Sequence, residues 1–135
     1  MPQTVTFTAK DDADSVANTV QASFTSAGLT EANVIITISD DDAQSILVDP
    51  AAVTIAEGNA TGATVGVSLG QQPDRDVVVN LASSDMGGAT VEPATLTFTP
   101  ANYATKQNVK IVAPQDNDTA NENVQINLTA AGIQS

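Results

Sequence analysis

The sequence predicts an all-β protein, an antiparallel sandwich built in tandem, and three observations carry that expectation. The first is composition. Of 135 residues, 41% are hydrophobic but only 3% are aromatic (Phe7, Phe24, Phe98, Tyr103). Val, Ile, Thr and Ala are abundant, and β-branched side chains, stiff at χ1, fit a pleated, half-buried surface better than a helix. The second is short runs in which apolar and polar residues alternate with period two. The third is a gapless internal repeat.

Taken in order, Val5, Phe7 and Ala9 share one face against Thr4, Thr6 and Thr8, and Val20, Ala22 and Phe24 alternate with Gln21, Ser23 and Thr25. Val34-Ile35-Ile36-Thr37-Ile38 is a continuous strand-like run stopped by Asp40-Asp41-Asp42. Ile46-Leu47-Val48 breaks at Asp49-Pro50, and alternation resumes through Val53 and Ile55 up to Glu57-Gly58. Then come Ala63/Val65/Val67/Leu69, Val77/Val79/Leu81, Leu96/Phe98, Val109/Ile111 and Val124/Ile126/Leu128. The intervening Gly70–Asp74, Met86-Gly87-Gly88 and Pro100-Ala101-Asn102 are turn compositions. No stretch has helical periodicity, and short strands with turns about every ten residues describe a sandwich.

Residues 3–28 (QTVTFTAKDDADSVANTVQASFTSAG) align without gaps to residues 107–132 (QNVKIVAPQDNDTANENVQINLTAAG), an offset of 104 from Gln3 to Gln107. Ten positions are identical, among them Val5/Val109, Asp12/Asp116, Asp14/Asp118, Val20/Val124 and Gly28/Gly132. A period of about 100 residues is the size of one immunoglobulin-like sandwich domain. The chain therefore reads as a tandem-repeat excerpt. Residues 1–42 are expected to be the C-terminal part of one repeat, and residues 43–135 the following repeat without its last strand.

Charge and missing residue types narrow the function. Sixteen acidic against four basic residues give a net charge of −12, a surface that repels phosphate backbones and anionic lipid and attracts cations, so no nucleic-acid partner is expected. No apolar run approaches the roughly 18 residues of a membrane span, so no membrane insertion is expected. Without Cys there are no disulfides or thiolate sites; without His, the commonest general base is missing, and the expectation is a protein that is not an enzyme. The start, Met1-Pro2-Gln3-Thr4, lacks the basic and apolar regions of a signal peptide. Together with the repeat, this points to an excerpt of a longer exported protein, located extracellularly or at the cell surface.

Eight of the twelve Asp residues fall in three clusters: Asp11, Asp12 and Asp14; Asp40 to Asp42; Asp116 and Asp118. Two like charges about 5.5 Å apart repel by about 3 kcal/mol at an effective dielectric near 20, reduced to about a third by exposure and salt. A divalent cation reverses that cost, and Ca²⁺, which takes six to eight oxygen ligands, suits adjacent carboxylates at a strand end.

Three segments, AAVTIAEG (51–58), TLTFTPANYATKQNVKIVA (95–113) and NVIITISDDD (33–42), together with the repeat length, resemble the Calx-β domain of sodium–calcium exchangers and large bacterial surface proteins. Tyr103 stands where that family usually has Trp, and its acidic loop is thinner here, with no carboxylate from Ser15 to Asn18 and Gln115 in place of an acid. The resemblance implies Ca²⁺ as the cofactor at one tip of each sandwich. It implies Asp11, Asp12, Asp14, Asp40, Asp41 and Asp42 as ligands in the first part, and Glu57, Asp85, Asp116, Asp118 and Glu122 in the second. The expected function is a non-enzymatic, Ca²⁺-binding structural spacer in a large repetitive adhesion or matrix protein, its partners being neighbouring repeats or identical subunits head to tail. Two alternatives stand beside it: a subunit of a head-to-tail filament assembled by β-strand complementation, and a regulatory Ca²⁺ sensor.

Overall fold

In the computed structural model, which describes residues 1–10, 12, 14, 16–117 and 120–131, the described residues form nine strands and no helix. The strands are β1 (Asn18–Phe24), β2 (Ala32–Ile38), β3 (Ile46–Asp49), β4 (Ala63–Leu69), β5 (Val77–Ser83), β6 (Thr90–Glu92), β7 (Thr95–Phe98), β8 (Gln107–Val112) and β9 (Ile126–Ala130). They make three antiparallel sheets, ordered β1-β2, β3-β4-β8-β6 and β7-β5-β9.

The two larger sheets form the β-sandwich, and alternation dictates what they bury. Val77, Val79 and Leu81 of β5 and Leu96 and Phe98 of β7 are buried while the residues between them are exposed. They pack against Val65, Val67 and Leu69 of β4 and Val109 and Ile111 of β8. Phe98, Val67, Val79 and Val109 have no exposed surface. At about 1.5–3 kcal/mol for each such side chain, this cluster dominates the stability of the chain. β4 is buried on its other face as well: the Lys106 stem lies across Gly66, where an added Cβ would meet Lys106 Cδ at 3.0 Å.

Residues 1–42 are built differently. β1 and β2 form a seven-pair hairpin, from Asn18↔Ile38 to Phe24↔Ala32, closed through a turn in which Leu29 N–H donates to the Ser26 carbonyl (3.1 Å) and Gly28 sits at φ 81°. That φ belongs to the third residue of a type II turn, where glycine is favoured. Among the described residues no second sheet pairs with this hairpin, and Val20, Phe24, Val34 and Ile35 are all exposed, Ile35 at 71%.

Strand expectations fail in three places. Residues 3–10 form no strand, and Val5 (56%) and Phe7 (45%) are exposed, Phe7 meeting Phe24 edge-on at 6.5 Å between ring centroids. Among the described residues no strand pairs with them, and alternation without a partner forms no ladder. Val53 and Ile55 pack half-buried against the core but lie in irregular chain. Val124 precedes β9 rather than opening it, and the short β6, which pairs with β8, is an element the alternation did not announce.

Candidate cation site

The acidic cluster of the first repeat sits where the hairpin meets the sandwich. Two Asx turns shape it, for a simple reason: Asp side chains reach the backbone two residues on. Asp14 Oδ1 accepts from Val16 N–H (2.8 Å), and Asp40 Oδ1 accepts from Asp42 N–H (2.8 Å). Asp12 Oδ1 makes a longer contact of the same kind with Asp14 N–H (3.4 Å). The β1–β2 pairing places Asn18 opposite Ile38, so the segments carrying Asp12 and Asp14 and the one carrying Asp40 emerge side by side.

As a result Asp12, Asp14 and Asp40 each offer one carboxylate oxygen, all within 4.8 Å of one another. Asp12 and Asp40 border a cavity of about 350 Å³ that Lys10, Asp41 and Asp42 also line. Among the described residues the ion pairs within 4 Å are Arg75–Asp74 and Lys106–Asp49, so none of the three carboxylates has a described lysine or arginine within 4 Å, although Lys10 lines the same cavity. At that spacing each pair of carboxylates repels by about 3.5 kcal/mol at a dielectric near 20, and by about a third of that after solvent and salt screening.

The donor set decides which ion fits. It is all oxygen, partly exposed and assembled from two chain segments, which matches the hard cations Ca²⁺, Mg²⁺ and Mn²⁺ rather than zinc or copper, whose sites draw on His and Cys. Three carboxylates leave room for waters or carbonyls to complete a coordination shell.

The loop after β4 ties this cluster to the sandwich. Gln71 Nε2 donates to Asp42 Oδ1 (2.9 Å), and Asp14 and Gln72 form an isolated parallel bridge. Gln44, 8% exposed, anchors the loop from beneath: its Nε2 donates to the Gln71 carbonyl (2.6 Å), while its Oε1 accepts from the N–H groups of Gln71 and Ser45 (both 3.0 Å). A buried amide with all these partners holds the loop at little cost. No family model, curated protein or solved structure matches the chain.

The other expected ligands lie elsewhere. Asp41 borders the same cavity, whereas Asp42 directs a carboxylate oxygen to Gln71. Glu57 Oε2 accepts from Gln115 Nε2 (3.2 Å), which also donates to the main-chain carbonyl of Asp116 (3.2 Å). Asp85 caps its own turn, accepting from Gly87 N–H (2.8 Å). Glu122 lies over Gly88, and a Cβ on Gly88 would collide with its carboxylate. Among the described residues these four are not gathered into a carboxylate triad. Asp11 and Asp118 lie outside the described residues. Gln44, Gln71 and Gln72 were not singled out in the sequence; one signal, amides in a turn preceding Pro73, is too common to distinguish them.

Proposed function

We propose that this chain is a non-enzymatic, Ca²⁺-binding structural module in which an ion held by Asp12, Asp14 and Asp40 fastens one repeat to the next. The observation that carries the reading is the convergence of three carboxylates, with no described basic side chain within 4 Å, at the junction between the hairpin and the sandwich. Bound there, the ion supplies charge neutralisation and a crosslink. The protein's own part is positional: Asx turns aim the oxygens, and Gln71 and Gln72 hold the same segments against the loop after β4.

The Calx-β-like motifs and the 104-residue repeat support placing the module in an immunoglobulin-like, tandemly repeated protein of the cell surface or extracellular matrix, where a chain without disulfides needs another staple. Its role there is to set spacing and stiffness in an adhesion or matrix protein. Thermal melts followed by circular dichroism in excess Ca²⁺, in EGTA and in Mg²⁺ test the reading. A ligand at a hundred times its dissociation constant stabilises by about 2.7 kcal/mol, a shift of several degrees for a chain of this size. A rise in midpoint specific to Ca²⁺ and abolished by Asp40→Asn is expected; superimposable melts would return the triad to solvated turn residues.

A further inference from the structure

Asparagine followed two residues on by Ser or Thr, with no Pro between, is the acceptor pattern for N-linked glycans. The sequence carries it three times: Asn59-Ala60-Thr61, Asn117-Asp118-Thr119 and Asn127-Leu128-Thr129. The structure separates them. Asn127 lies in β9, and its whole tripeptide is paired residue by residue with Asn80, Leu81 and Ala82 of β5. Asp118 and Thr119 lie outside the described residues. Asn59, Ala60 and Thr61 are all exposed, in the turn that leads into β4.

Two turns meet at Asn59. Its N–H donates to the Ala56 carbonyl (3.2 Å), and its own carbonyl accepts from Gly62 N–H (3.0 Å). The sandwich holds this segment at both ends. Gly58 N–H donates to the Ala113 carbonyl (3.1 Å), and Gly62, at φ 67°, passes so close to β8 that an added Cβ would collide with the Ile111 carbonyl. Between them Lys110 Nζ donates to the Ala60 carbonyl (2.9 Å). Asn59 Oδ1 accepts from Thr61 N–H (3.0 Å), an Asx turn that joins the two residues the pattern requires. That bond draws electron density towards Oδ1 and makes the Nδ2 hydrogens more acidic. Among the described residues no hydrogen bond engages Nδ2 itself.

We propose that Asn59 is the acceptor of an N-linked glycan, delivered by an oligosaccharyltransferase from a lipid-diphosphate donor. In the transfer, Nδ2 bonds to the anomeric carbon of the donor's first sugar as that carbon's bond to the diphosphate oxygen breaks. The lipid diphosphate leaves with the electron pair, and one Nδ2 proton passes to a base of the transferase. Glu57, also exposed, stands two residues before the acceptor, where bacterial transferases of this class take a carboxylate. A bulky, hydrated group is tolerated at such a surface turn, whereas on Asn127 it would have to be added within a ladder. The inference rests on the extracellular placement proposed above and is independent of the cation.

The test runs in vitro and needs no export, so its failure is distinguishable from failure of that placement. The purified, folded full chain is incubated with a purified bacterial oligosaccharyltransferase and lipid-linked oligosaccharide, beside a short acceptor peptide that shows the reaction is running. Intact mass should rise by one glycan, and peptide mapping should place it on Asn59. Thr61→Ala should lose the addition and Thr61→Ser should keep it. Both variants should melt as wild type does, because Thr61 is exposed. Unmodified wild type beside a modified peptide overturns the proposal, as does a glycan on Asn117 or Asn127 in place of Asn59.

Discussion

Residues 3–28 and 107–132 are two versions of one sequence, ten identities in a 26-residue match, and their opening segments meet opposite fates. Val109 and Ile111 lie in β8, at 0% and 8% exposure, between β4 and β6; their counterparts Val5 and Phe7 lie in irregular chain, half exposed. Local propensity is nearly the same in both. The difference lies in what each segment finds across from it. β8 finds β4 and a facing sheet, while the N-terminal copy finds only the edge of Phe24. Strand formation here follows from the availability of partners rather than from alternation itself.

The sharpest way to break that comparison is to truncate the paired positions. Ile111→Ala should destabilise the sandwich by about 2–4 kcal/mol, from lost burial plus an incompletely collapsed cavity. Phe7→Ala should cost under about 1 kcal/mol, although the removed side chain is larger, because its only ring partner is exposed. Urea unfolding of the two variants checks both. Similar losses would mean that residues 3–10 are packed in solution as β8 is.

The same pairing can be drawn between the acids. Asp12 and Asp116 are counterparts, but Asp12 has Asp14 and Asp40 beside it, whereas among the described residues Asp116 belongs to no such carboxylate group. Asp12→Asn should therefore abolish a Ca²⁺-dependent stabilisation of about 2.7 kcal/mol at a hundred times the dissociation constant, and Asp116→Asn should leave it intact. Isothermal titration or paired melts distinguish the two. Equal loss in both variants would place the ion at a different set of carboxylates.

How far the sequence could be read follows the same line. β5, β7 and β8 were legible because alternation and burial coincide in them, and Leu96/Phe98 and Val77/Val79 read correctly as inward pairs; β4 was legible from its alternating sequence although it is buried on both faces. Residues 4–9 and 53–55 have the same pattern without a neighbour to complete a ladder, information that local sequence does not carry. β6 has three residues ended by Pro93, too short for any period to show. The acidic clusters were visible as charge, yet which of their members converge was not. Asp40 and Asp42 are two residues apart, and one joins the triad while the other turns to Gln71, 29 residues away in sequence.

Gln71 offers a smaller test of how the two halves are joined. Gln71→Ala removes the hydrogen bond to Asp42 while leaving the backbone contacts to Gln44 in place, and should cost about 0.5–1.5 kcal/mol. The loss should be matched by Asp42→Ala, and the double variant should cost less than the sum of the two, as shared partners require. Full additivity would mean that the hairpin and sandwich are not coupled through this bond.

The smallest effect expected concerns what covers β4. Lys106 joins Asp49 in an ion pair whose side chains are 56% and 69% exposed, and its stem lies over Gly66. At such exposure the pair is worth at most about 0.5 kcal/mol, while the stem shields apolar surface whatever the charge does. Lys106→Met keeps the stem and should melt within a degree or two of wild type, about 0.5 kcal/mol or less. Lys106→Ala uncovers Gly66 and should cost about 1 kcal/mol. The counterpart of Lys106 at the 104-residue offset is Pro2, which has no such stem, so the residue before β8 gives β4 a cover that its N-terminal copy could not supply. If Met and Ala instead proved equally destabilising, and high salt erased the difference from wild type, charge rather than cover would be what Lys106 contributes to β4.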